Sequence, residues 1–250
     1  MECPEFVSIG HVTYDIYPGE KLIGGSAVYS SLTACKLGLS TGIITSRGLD
    51  FSCDGLLKGI SIAGSVSPQT TTFCNSYCQG KRKQIINDVA NRIKKEQIPK
   101  GWDKAKIVHI CPVADEVDQE VFTLFKDSLV GLTPQGLMRR WDAKGQEVLE
   151  EYKSLINIVI LTRGAEGSIL YWRGKKFIFS AFKTEEKDPT GAGDVFAAAF
   201  LAKYYQTDDP IESSRFANCV ASFAVEGKGT AGITDFDRII KRASLMGIDL

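Results

Sequence analysis

Asp188-Pro189-Thr190-Gly191-Ala192-Gly193-Asp194 is the segment whose residue types and spacing come closest to chemistry, and it runs straight into the apolar stretch Val195–Tyr205. Its glycines let the backbone take positive φ and approach an anion closely. The main-chain N–H groups of Ala192, Gly193 and Asp194 would then point out of a helix N-terminus, an end that carries about half a positive charge and several unpaired donors. Such an end is a ready anion hole for a phosphoryl group. The Asp194 carboxylate sits where it could accept a proton from an attacking hydroxyl. A base and an anion hole on adjacent residues suit phosphoryl transfer, where positioning and charge stabilisation do most of the catalysis. Other nucleotide loops do not fit. A dinucleotide fingerprint needs a third glycine where Phe196 stands, and Gly227-Lys228 is followed by Gly229 rather than by Ser or Thr.

Metal and thiol chemistry have less support. The seven cysteines (Cys3, Cys35, Cys53, Cys74, Cys78, Cys111 and Cys219) are odd in number and widely spaced, with no Cys-x-x-Cys, which argues against a zinc site or disulfide framework. His11 and His109 are the only histidines, and His109-Ile110-Cys111 has nothing nearby to complete a metal set. The chain has 250 residues and 44% hydrophobic content, ordinary for a globular protein, and thirty basic residues balance thirty acidic ones. That balance speaks against a global field that would gather nucleic acid or anionic lipid. The longest apolar run, Val195–Ala202, is too short to span a bilayer, and Met1–Glu5 is not a secretory leader. Reduced thiols without a leader point to the cytoplasm.

These residues need elements to place them. Phe6–Gly10 reads as a strand, Val12–Ile16 and Lys21–Ile23 as a hairpin about Tyr17-Pro18-Gly19-Glu20, and Ala27–Leu37 as a helix closed by Gly38. Thr41–Thr45 is a strand and Asp54–Ala63 a helix. Thr70–Tyr77 alternates by two and returns through Lys83–Ile86, a second hairpin. Strands follow at Lys106–Cys111, Val130–Thr133 and Ile156–Thr162, the last the most apolar of the chain and of a buried type, and Val117–Leu124 is helical. Ser168–Trp172 and Lys176–Phe179 form a hairpin across Arg173-Gly174, and helices are expected at Val195–Tyr205, Ser213–Val225 and Asp235–Met246. Apolar strands alternating with helices predict an α/β sheet covered on both faces, within one domain over 1–250. The hairpins near 12–23 and 70–86 predict a small β lid. In the exit Thr133-Pro134-Gln135-Gly136, Gln135 and the following Arg139 are candidate contacts to substrate hydroxyls.

Asp-x-Thr-Gly-Ala-Gly-Asp near the C-terminus resembles the signature of the PfkB, or ribokinase-like, carbohydrate kinases. Asp15, Gly24-Gly25, the Thr70–Phe73 hairpin and Thr162-Arg163-Gly164-Ala165-Glu166-Gly167 are similar to further family positions, so the resemblance covers nearly the whole chain. It implies a three-layer α/β/α sandwich with a small β lid, and ATP-dependent transfer of the γ-phosphate to a hydroxyl of a small polyol, with Mg²⁺. Asp194 would be the base, and Gly191, Ala192 and Gly193 would stabilise the moving phosphoryl group. Asp15, which can accept two hydroxyl hydrogen bonds, would clamp a diol, with Gly24, Gly25 and Asn75 beside it. Thr162, Gly164, Gly167 and Asn218 would lie along the nucleotide. The Thr-Phe-x-Asn lid and the Thr-Pro-Gln-Gly loop lean toward a sugar or inositol-like acceptor. The lid's edge strands offer a surface for pairing with a second copy.

Two departures from the family pattern stand out. Asp188 matches a monovalent-cation position, but the hydroxyl expected at the end of loop 224–233 is replaced by Gly232 or Ile233, which speaks against cation activation. Between Gly145 and Ile158 the chain is short and lacks the family's Asn-x-x-Glu motif for Mg²⁺, leaving Glu147, Glu150 or Glu151 as substitutes. The alternatives are therefore a nucleoside kinase of the same fold and a catalytically silent ligand-binding homologue.

Overall fold

Short runs of buried residues at Phe6–Ile9, Thr41–Gly48 and Ile107–Ile110 form the middle of a parallel sheet, where both strand faces must be apolar. The structure, a computed structural model, describes residues 2–53, 55–78, 81–138 and 156–245. The chain divides into two units, Met1–Leu137 and Met138–Leu250.

The first unit runs β1 (Phe6–Ile9), β2 (Thr13–Tyr17), β3 (Glu20–Gly24), α1 (Ser26–Lys36), β4 (Thr41–Gly48), β5 (Ser61–Ser67), β6 (Thr71–Cys78), β7 (Lys81–Asp88), β8 (Ile107–Ile110) and β9 (Leu129–Leu132), with α2 (Gln135–Met138) at its end. The five-stranded sheet has the order β5-β4-β1-β8-β9, and every pairing in it is parallel. Successive residues of β4 face opposite ways. Ile43 packs with Val12, Val28, Leu57 and Cys111, whereas Ile44 packs with Val7, Ile9, Trp102, Val108 and Phe125. On the first face lies α1, drawn close by small residues: the Ser8 hydroxyl donates to the Ala27 carbonyl at 3.0 Å. The helix ends where Gly38 and Leu39 donate to the Cys35 and Ala34 carbonyls, a Schellman closure.

The two expected hairpins are present, and they are one sheet. β2 and β3 are antiparallel, β6 and β7 are antiparallel, and β2 pairs with β6 in parallel, giving the order β3-β2-β6-β7.

Three elements differ from expectation. The helix expected over Asp54–Ala63 is absent: Gly55 and Gly59 sit at φ 83° and 86°, which no α-helix accommodates, and the chain then extends as β5. Val117–Leu124 yields only a 3₁₀ turn, Gln119–Thr123. The strand near 156–162 is also not the buried one that its composition suggests.

In the second unit that strand, β10 (Ile158–Thr162), pairs antiparallel with β11 (Ser168–Trp172), which pairs with β12 (Lys175–Phe179), and β10 is half-buried to exposed. Arg173 and Gly174, both at positive φ, make the tight turn between β11 and β12. Three helices follow: α3 (Ala192–Thr207), α4 (Pro210–Ala224) and α5 (Phe236–Leu245). α4 starts cleanly because Asp209 accepts from the N–H groups of Ile211 and Glu212 with Pro210 at the first position. No described helix is long and apolar enough to cross a membrane.

Candidate active site

In the first unit the candidate residues gather on one face of the four-stranded sheet. Asp15 on β2 stands opposite Phe73 on β6, so Asn75, two residues on, shares its face. Both side chains are buried, at 6% and 3% exposure. Asn75 Nδ2 donates to Asp15 Oδ1 at 3.4 Å, and Gln84 Nε2, on β7, donates to Asn75 Oδ1 at 2.9 Å. Gly24 closes this cluster. A Cβ there would lie 2.1 Å from Asp15 Oδ2, so the room left by the missing side chain is filled by the aspartate's own carboxylate. Gly25 has φ 97°, and a Cβ on it would meet the His11 carbonyl at 2.4 Å. Thr13, which sequence reasoning missed, has its hydroxyl oxygen 3.1 Å from the same Gly24 Cβ position; that oxygen is buried and has no hydrogen-bond partner among the described residues.

The loop that abuts Gly25 is held from below. His11 N–H and Val113 N–H donate to Glu116 Oε1, and the N–H groups of Val113 and Ala114 donate to Oε2. The His11 ring contacts the Asn91 carbonyl through Nε2 and the Thr71 hydroxyl through Nδ1. A carbonyl can only accept, so the proton lies on Nε2 and Thr71 donates. Burial holds His11 below the usual histidine range, more strongly than the nearby Glu116 raises it. His109 bridges Ser30 on α1 and Thr133 after β9 at 2.7 and 2.8 Å, and burial pushes its pKa down to about 4. Both histidines are thus interior struts. Among the described residues no group of three or more His, Cys, Asp or Glu is placed to hold a metal ion. Gln135 is exposed at the start of α2, while Arg139 lies outside the described residues.

In the second unit the loop expected to form an anion hole leads into α3. Gly191 is at φ 79°, and Ala192, Gly193 and Asp194 form the first helical turn. Ala192 N–H turns back onto the Pro189 carbonyl at 3.2 Å. A Cβ on Gly193 would meet nothing within 4 Å, so the face of that turn is open to a ligand. Asp194 is 8% exposed in the same turn.

The loop is fastened by Asp188, whose Oδ1 accepts from Thr190 N–H at 3.0 Å and Oδ2 from Gly229 N–H at 2.9 Å. The N–H groups of Lys187 and Asp188 both reach the Val225 carbonyl. Gly232 and Ile233 carry no hydroxyl, but the next residue does: Thr234 Oγ1 is buried without a hydrogen-bond partner among the described residues, as is Thr190 Oγ1.

The nucleotide-side candidates have structural duties as well. Arg163 N–H bonds the Gly167 carbonyl at 2.7 Å, closing the bend in which Thr162 and Gly164 are exposed. A Cβ on Gly167 would lie 2.0 Å from the Phe179 carbonyl. Asn218 is buried, and its amide nitrogen donates to the Ser168 hydroxyl and the Ser214 carbonyl, tying α4 to β11. The acidic residues Glu147, Glu150 and Glu151 lie outside the described residues.

Residues 134–235 match the pfkB family carbohydrate kinases. A 5-dehydro-2-deoxygluconokinase of Listeria innocua is 32% identical over 267 residues, covering 82% of this chain and 81% of that protein. A nucleoside kinase of Methanocaldococcus jannaschii is 32% identical over 96 residues, 38% of this chain and only 32% of that relative's length. The crystal structure of that archaeal member of the ribokinase family superposes with a TM-score of 0.79 at 22% identity, covering 96% of this chain and 98% of the other. A putative ribokinase II of E. coli, in complex with ATP and Mg²⁺, gives 0.76 at 20% identity over 96% and 99%.

Proposed function

This chain belongs to the pfkB family of carbohydrate kinases, which are phosphotransferases, and from that premise we propose that it transfers the γ-phosphate of ATP to a hydroxyl of a small polyol. The observation that carries this reading is the first turn of α3, where an open glycine face and the Asp194 carboxylate are adjacent. Asp194 takes the proton from the acceptor hydroxyl as its oxygen attacks the γ-phosphorus, the bond to the bridging oxygen breaks, and ADP leaves. The Gly191–Gly193 loop, with the dipole of α3 behind it, stabilises the charge on the moving phosphoryl group.

Asp15 accepts hydrogen bonds from acceptor hydroxyls, Asn75 braces it, and Gln135 adds a contact. Thr162, Gly164 and Gly167 shape the nucleotide side, where Asn218 holds α4 in place. Mg²⁺ supplies charge neutralisation on the ATP phosphates when bound. A potassium-like ion would be held by Asp188 and Thr234, with carbonyls of the loop 224–233. A nucleoside acceptor is the second reading, favoured by the M. jannaschii relative.

The test is ADP release across a panel of sugars, inositols and nucleosides, with and without Mg²⁺. Turnover is expected with at least one acceptor, and Asp194→Asn lowers kcat by about 10²–10⁴-fold. Full activity in that variant sinks the assigned base. Calorimetric binding of an acceptor with no turnover under any metal would instead establish a silent ligand-binding homologue.

A further inference from the structure

The Asp15–Asn75 pair does not stand alone, and the third member of the chain has a defined polarity. Register places Asn75 and Gln84 directly opposite each other on β6 and β7, and Asp15 on the same face of β2. The three side chains therefore form a row across the sheet, with contacts of 3.4 Å from Asn75 to Asp15 and 2.9 Å from Gln84 to Asn75. An ionised carboxylate only accepts, so Asn75 must turn its NH₂ toward Asp15. Its carbonyl oxygen then faces Gln84, which must in turn present its own NH₂. Every bond in the row donates toward Asp15.

Packing adds a constraint at the far end. Asp15 Oδ1 takes the Asn75 donor, and Oδ2 lies 2.1 Å from where a Cβ on Gly24 would stand, so the carboxylate is packed on both sides. Asn75, at 3% exposure, is held in a buried slot where a reversed amide would set two acceptors against each other. Gln84 is half-buried and outside every motif of the sequence.

We propose that Gln84 is a positioning residue of the acceptor site: by donating to Asn75 it fixes the orientation of that amide and, through it, of the carboxylate that receives the acceptor's hydroxyls. This rests on the kinase reading, in which Asp15 binds the acceptor. Gln84 touches neither substrate, and its effect reaches acceptor affinity rather than the phosphoryl-transfer step.

The experiment compares wild type, Gln84→Glu and Gln84→Lys with an acceptor found in the panel, measuring acceptor KM, ATP KM, kcat and Tm. Glutamate is isosteric and ionised, so it cannot donate to Asn75, whereas lysine keeps a donor. Gln84→Glu is expected to raise acceptor KM about tenfold, as the loss of one such hydrogen bond implies. ATP KM and kcat should stay within about twofold under the same argument, and Gln84→Lys should return acceptor KM toward the wild-type value. Equal acceptor KM in all three proteins overturns this inference and leaves the kinase reading intact. A joint fall in Tm, kcat and both affinities, or failure of lysine to restore acceptor KM, also overturns it, since Gln84 would then be structural. No turnover by the wild type with any acceptor overturns the functional reading, and this inference with it.

Discussion

Gly24 looks like a loop glycine and behaves as half of an aspartate. Because the Asp15 carboxylate occupies the space that a Cβ would take, Gly24→Ala must displace the carboxylate or the strand. The expected outcome is an acceptor KM raised about tenfold or more with ATP KM unchanged, read from initial rates with each substrate varied in turn. Asp15 and the Asp188–Asp194 loop were legible as candidates because each rests on local chemistry, a carboxylate after a short strand and glycines at a helix start. Thr13, Gln84 and Thr234 were not. Their importance comes from cross-strand register or from an unpaired buried oxygen, and neither is encoded in spacing along one segment. The β6–β7 register shifts only between Thr72 and Phe73, beyond the Asn75–Gln84 pair, while Asp15 is placed by the separate β2–β6 pairing.

Elements show the same division. Strands whose side chains are wholly enclosed, β1, β4 and β8, were readable as apolar runs. The stretch before β5 was not, because two glycines at positive φ outweigh a helix-like pattern. β10 misled in the other direction: five residues with an apolar centre sit in an antiparallel ladder, half-exposed. The connection between α4 and α5 carries the prediction at this scale. Asp188 fastens it to the loop before α3, and the buried Thr234 hydroxyl has no partner among the described residues, a place that an ion would fill. Potassium is expected to raise Tm relative to tetramethylammonium, and Thr234→Val to abolish that difference in a thermal shift series. A Tm indifferent to the cation in the wild type would remove the ion from this loop.

For the whole molecule, stability is tied to two neutral, buried histidines. His109 titrates near 4 when folded against 6.5 when free, so between those pH values the unfolded chain binds more protons. Stability is therefore fully present above the unfolded value and lost as pH falls through the window, by about 3 kcal/mol at most for this residue. His11 acts in the same direction. Denaturant titrations at pH 7 and pH 4.5 should show the loss, and His109→Asn should flatten it. A second expectation concerns assembly. β7 is an edge strand with Ile85 and Ile86 exposed, which supports pairing with a second copy; sedimentation should find a dimer that Ile85→Lys dissociates. The parallel pairing of β2 with β6 also bears on how the protein comes to be folded. Thr13 meets Thr71, and α1, β4 and β5 all lie in the chain between them. Closing so long a loop is entropically slow unless the intervening segment has already condensed, so β1, α1 and β4 should form first. On a ribosome, a chain that has emerged only as far as β5 already holds Asp15 and Gly24 but has no β6 to shelter them. The Asp15 carboxylate is then among the first residues of its unit to be made and among the last to be enclosed.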